Sequence, residues 1–170
     1  GKDSHYQVLK VLEYGLNPLC INARTDKLSE IGRYNLDSLG KLGVDCIEVS
    51  TDPIIRRKIN KFTLKTVGDI SWAEHITIFT IPFRIACDLN IPLIIWGENP
   101  QNENGGPKSK ERAINLDRKW LEEFGGLLGF RTTDLENLMK IPKKKLLQYT
   151  FPSKTTINKK KIKGLFLGQF

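Results

Sequence analysis

Apolar positions along the chain switch between helical and strand spacing. After four polar residues, Val8, Val11 and Leu12 fall on one face at helical intervals with Gly15 as the stop, so the spacing predicts an opening helix with Ser4 at or near its start. Asn17 to Ala23 then reads as a strand, Gly32 to Gly43 as a helix ending in glycine, and Val44 to Thr51 as a second strand. Next in the chain, Asp52 is placed to cap a helix and Pro53 to occupy its first turn. The residues Ile76, Phe79, Ile81, Phe83, Ile85, Ala86 and Leu89 predict a buried helix over Ala73 to Asn90, broken near Pro82 because proline lacks the N–H that the ladder uses.

Ile91 to Gly97, IPLIIWG, is a continuous apolar run of the kind found at the centre of a parallel sheet. Arg118 to Gly129 predicts a further amphipathic helix, and GLFLGQF a last strand. Strands alternating with helices predict the α/β class, a largely parallel sheet with helices on both faces. Ligands of such sheets bind where strands end and loops begin. Function is therefore expected on three segments: GKDS (Gly1 to Ser4), Asn22 to Asn35, and GENPQNENGG from Gly97 onward.

With 170 residues, 39% of them hydrophobic and 27% charged, the chain can bury a core, which argues against disorder. No run approaches the roughly 18 apolar residues of a membrane span, and no secretory signal pattern is present, so a soluble cytoplasmic protein without a membrane partner is expected. Cys20, Cys46 and Cys87 form no CxxC pair and read as buried thiols rather than a disulfide framework or zinc site. The two histidines, His5 and His75, are too few for a multi-histidine metal site. A net charge of +8 favours a polyanionic partner: a nucleotide, a nucleotide-linked sugar, RNA or an acidic membrane surface. Much of that charge lies in Lys143 to Lys145 and Lys159 to Lys163. Without interleaved aromatics these runs read as a solvated face, and nucleic acid is not expected as a partner.

Chemistry concentrates first at GKDS. Backbone N–H groups at a helix start, the cation of Lys2 and the hydroxyl of Ser4 converge on one point, and phosphate fits there. Asp3 beside phosphates calls for an intervening cation, for which Mg2+ is economical. The alternative is an ordinary helix cap made by Ser4 or Asp3. The pattern is not the GxxxxGK[ST] loop.

GKDS resembles the latter part of the SGGKDS loop of the PP-loop ATP pyrophosphatases. The segments GKDSHYQVLKVLEYGLNPLC, GRYNLDSLGKLGVD, RRKINKFTLKTVGDISWAEH, IPLIIWGENPQNENGGP and RKWLEEFGGLLGFR together resemble the N-acetyl sugar amidotransferase family over nearly the whole chain. GDISWAEH and WGENPQNENGG are more specific than the loop itself. The family loop has a serine and a glycine, after a strand, ahead of the position that Gly1 holds here. The resemblance implies an adenine nucleotide alpha-hydrolase-like (HUP) sheet over residues 1–150, with the lysine-rich 151–170 opening a further extension. It also implies ATP and Mg2+ as cofactors, ammonia from a separate glutaminase subunit, and a nucleotide-linked or free acetamido sugar as substrate. The product carries an acetamidino group, in surface polysaccharide (lipopolysaccharide) or flagellar sugar biosynthesis. A tRNA-modifying enzyme of the same superfamily and an inactive nucleotide-binding module are the alternatives.

On this resemblance Gly1, Lys2, Asp3 and Ser4 hold the pyrophosphate, while Arg24, Thr25, Asn35 and Gly97 lie towards the nucleotide. Asp3 and Glu98 hold Mg2+; Glu98 and Glu103 can equally orient ammonia. Gly105 and Gly106 let the backbone approach a ligand. Asp69, Trp72, Glu74 and His75 suit a sugar, by ring stacking and hydroxyl hydrogen bonds, and His75 can transfer protons. Against this, Ser71 and Glu74 match a capping box at a helix start, in which His75 merely packs. Arg84 and Arg131 are candidate partners of a sugar carboxylate or nucleotide phosphate, and Trp96 reads as core.

Overall fold

A computed structural model describes residues 2–24, 27–97 and 128–166. Gly1, Thr25, Glu98, Glu103, Gly105 and Gly106 lie outside the described residues, as do all but the last two positions of the predicted helix Arg118 to Gly129. The chain divides into two units, Gly1–Ser50 and Thr51–Phe170.

In the first unit, helix α1 (Lys2–Glu13) leads to strand β1 (Leu19–Arg24), helix α2 (Glu30–Gly40) and strand β2 (Asp45–Ser50). Gly15, at a φ of 73°, supplies the left-handed turn that releases the chain from α1. Helix α2 begins earlier than its apolar pattern suggests, because the Ser29 hydroxyl accepts the Gly32 N–H at 3.1 Å and caps the first turn. As the crossover between two parallel strands, α2 allows β1 and β2 to pair in register from Leu19 opposite Asp45 to Arg24 opposite Ser50. Val8, Leu39 and Val44 form a small core, with Leu12, Cys20, Leu36 and Leu42 packed on it.

The second unit holds α3 (Pro53–Val67), α4 (Trp72–Leu89), β3 (Leu93–Trp96), α5 (Thr132–Met139), a 3₁₀ helix (Lys143–Tyr149), α6 (Lys154–Lys159) and β4 (Lys163–Phe166). Helix α3 starts as its sequence dictates: Asp52 Oδ1 accepts the Ile54 and Ile55 N–H groups at 2.9 and 3.3 Å, and Pro53 sits in the first turn. Helix α4 is apolar around much of its circumference and lies in the core, with Trp72, Phe79, Ile81 and Phe83 each nearly inaccessible.

The expected break at Pro82 does not occur; α4 runs unbroken past it. Proline removes one donor, that of the bond to the carbonyl four residues earlier, and Ile78 receives the Trp96 indole N–H instead, at 2.9 Å. Trp96 is core as expected, with its ring 5.8 Å from Phe79 and 5.5 Å from Phe83.

Strand β3 pairs in parallel with β4, Leu93 opposite Lys163 through Trp96 opposite Phe166. Among the described residues the architecture is mixed α/β, with two separate two-stranded parallel sheets. Phe151, Ile162 and Phe166 belong to the core cluster, so the lysine-rich segment contributes apolar anchors. Its Lys160 amine donates to the Cys87 carbonyl and, at 2.8 Å, to Asn90 Oδ1, placing a cation at the negative end of α4. Lys143, Lys144 and Lys145 are exposed, in keeping with a solvated face. No helix among the described residues is long and apolar enough to cross a membrane.

Candidate functional site

Two groups of residues from the sequence reading are placed, one in each unit. In the first, α1 opens at Lys2, so Lys2, Asp3 and Ser4 form the first helical turn rather than a loop. The amides of a first turn have no intrahelical acceptor and point out along the axis, where the helix dipole is positive. Asp3 and Ser4 are exposed there. Arg24 ends β1 in an exposed position.

Asn35 is half-buried in α2, where its carbonyl accepts the Ser38 hydroxyl at 2.8 Å. Ser38 Oγ also lies 2.6 Å from His5 Nε2, a tie between α1 and α2 that sequence reasoning did not find because nothing in either helix's pattern marks it. Arg33 grips Glu48 with both nitrogens at 2.6 and 2.8 Å and touches Asp37 at 3.3 Å. That grip, with a smaller contribution from the charge of Arg24, holds the Glu48 carboxyl below its usual range.

Cys20 and Cys46 are register partners on the two strands. Burial, with smaller contributions from the neighbouring Cys46, pushes the Cys20 thiol up to about 11. Cys46 is exposed, contrary to the expectation of a buried thiol, although it is the register partner of half-buried Cys20; Cys87, in α4, is buried as expected.

The second group is GDISWAEH. Asp69 Oδ1 accepts the Ser71 N–H at 2.7 Å, its other carboxylate oxygen lies 3.4 Å from His75 Nδ1, and its carbonyl accepts the Thr63 hydroxyl at 2.7 Å. The Asp69 side chain is 15% exposed and that of His75 46%, so a shielded carboxylate stands behind an accessible imidazole. The carboxylate thus faces the Nδ1 edge of the ring.

Trp72 and Glu74 are placed differently from a sugar-gripping pair. Trp72 is fully buried, edge-on to Phe130 at 5.8 Å, so its ring faces are committed to the core. Glu74 receives the Asn60 amide on both oxygens, at 3.0 and 2.7 Å, with Arg56 Nε 3.5 Å away. The expected capping box does not form: the Ser71 side chain makes no cap bond. Asn60 Oδ1 accepts the Ala73 N–H at 3.1 Å and caps α4 from α3. Tyr149 is buried near these groups, which pushes its phenol up, and its hydroxyl stands beside Thr51 without a bond of good geometry.

Arg84 spends a guanidinium N–H on the Thr150 carbonyl at 3.2 Å. Arg131 precedes α5, where its backbone N–H is accepted by Asp134 at 2.7 Å. Gly97 follows β3 in an exposed position. Among the described residues no three His, Cys, Asp or Glu side chains converge to hold a metal ion. Neither a protein family nor a curated protein matches the chain.

Proposed function

We propose that the chain is the ATP-dependent synthetase part of an N-acetyl sugar amidotransferase, with the PP-loop type of chemistry on an adenine nucleotide alpha-hydrolase-like sheet. The observation that carries this reading is the start of α1 at Lys2, which sets Lys2, Asp3 and Ser4 in the first turn at the positive end of a helix, with Asp3 and Ser4 open to solvent. The dipole there favours an anion by about 0.3–1 kcal/mol. A charge-assisted hydrogen bond from Lys2 adds about 1.5–3 kcal/mol.

Asp3 fits a Mg2+ role: it is an exposed carboxylate beside the expected phosphates, and this ion commonly takes one or two carboxylates, water and substrate oxygens. Bound there, the ion would offset phosphate charge.

An amide carbon is a weak electrophile and its oxygen a poor leaving group. Attack of the acetamido oxygen on the α-phosphorus of ATP corrects both, forming an O–P bond and expelling pyrophosphate. Ammonia from a separate glutaminase adds to the activated carbon, and AMP then leaves with the former amide oxygen, giving the acetamidino sugar. The adduct must shed a proton, and His75 with Asp69 behind it is the pair suited to take it. Trp72 and Glu74 serve this site by fixing the start of α4, which carries His75.

Incubation with ATP, Mg2+, ammonium and an acetamido sugar labelled with heavy oxygen in its amide tests the reading. It requires AMP and pyrophosphate, with the label in AMP. ADP as product, or AMP without label, overturns it.

A further inference from the structure

The pairing of β1 with β2 brings together two cysteines that lie far apart in sequence. Cys20 and Cys46 are direct register partners in parallel strands, so their Cβ atoms leave the same face of the sheet. Neighbouring strands are separated by about 4.7–4.9 Å, inside the roughly 4.4–6.8 Å window of Cα separations that a disulfide spans. Cys46 is exposed, so a soluble oxidant reaches it, while Cys20 is half-buried against Val8, Leu39 and Val44.

We propose that Cys20 and Cys46 form a reversible dithiol–disulfide pair, oxidised by low-molecular-weight disulfides of the glutathione class. The Cys46 thiolate attacks one sulfur of glutathione disulfide; a Cys46–glutathione bond forms and one glutathione thiolate leaves. The Cys20 thiolate, its proton passed to solvent, then attacks the Cys46 sulfur. The intramolecular bond forms and the second glutathione departs. Two protein thiols are oxidised to one disulfide, and one glutathione disulfide is reduced to two thiols.

Equilibration of the full chain in glutathione redox buffers, followed by tryptic digestion without reductant and mass spectrometry, reads the bond directly. The three cysteines fall in different tryptic peptides, 11–24, 42–56 and 85–108. The pair predicts a species joining 11–24 to 42–56, lighter by two hydrogens than its reduced parts, and retained in Cys87→Ser. The folded chain should reach half-oxidation at a glutathione disulfide level roughly tenfold or more below that needed in urea, since strand pairing preorganises the thiols. In Cys20→Ser, the Cys46 peptide should accumulate as its glutathione adduct. A folded chain that carries glutathione on Cys46 without forming the link, or equal oxidation in urea, overturns the proposal.

Discussion

Trp96 donates its indole N–H, at 2.9 Å, to the Ile78 carbonyl, the acceptor that Pro82 leaves without a helical partner. A side chain from β3 thus completes the hydrogen bonding of α4 and anchors the strand across it. Trp96→Phe keeps an aromatic ring against Phe79 and Phe83 but strands a carbonyl in the core. A loss of about 1–3 kcal/mol is expected. Adding Pro82→Ala to that variant supplies a backbone N–H to Ile78 and should recover part of the loss. Urea unfolding of both single variants and the double variant measures the coupling; simple additivity would contradict the described bond.

Helix α4 is capped from outside itself. Asn60→Ala should therefore cost about 1–3 kcal/mol, because it orphans the Ala73 N–H and removes the donor shared by the Glu74 oxygens. Ser71→Ala should change stability by less than about 0.5 kcal/mol, as the Ser71 side chain makes no cap bond. Thermal melts of the two variants provide the check, and a larger loss for Ser71→Ala would restore the capping box.

Asp52 accepts from Lys145 and from two helix amides, and these hold its carboxyl below the usual carboxylate value. A depressed folded value means the stabilisation is complete above the unfolded value of about 3.9 and disappears as pH falls through the lower folded one. The stability gap between wild type and Asp52→Ala should stay constant from about pH 7 to pH 5 and close in stronger acid. Asp52→Asn, which still caps but loses the charge, should lie between the two at neutral pH. Urea midpoints across that range decide it, and a gap that survives in acid would contradict the assignment.

If His75 takes the proton shed by the ammonia adduct, His75→Gln should lower amidine formation by about 10²–10⁴-fold and leave ATP affinity unchanged. Asp69→Asn should cut the rate less, since it removes the partner at Nδ1 but leaves the imidazole. Single-turnover rates beside nucleotide titrations separate the two effects. Equal loss of ATP binding in both variants would mark Asp69 and His75 as structural.

Local signals were legible wherever a residue acts on its own helix. Gly15 ends α1, and Asp52 with Pro53 starts α3, because capping needs only a few adjacent residues. The misses share a cause: a donor or acceptor arriving from elsewhere. The tolerance of Pro82 depends on Trp96, 18 residues away from Ile78, and the start of α4 on Asn60, 13 residues before Ala73. Neither pairing leaves a periodic trace. The sequence marks Trp72 for ring stacking on a sugar, and packing against Phe130 places it in the core instead. At the amino end the sequence marks a helix start at or near Ser4, and the structure begins α1 at Lys2.

The central claim is that the first turn of α1 receives the phosphates of ATP. Backbone amide NMR during titration with Mg2+ and an ATP analogue bearing a methylene between its α and β phosphorus atoms tests it most directly. Saturable shifts largest at Lys2, Asp3 and Ser4, weakened about tenfold or more in apparent affinity by Lys2→Ala, are predicted. Binding that leaves those three amides unmoved, or no binding at all, would contradict it.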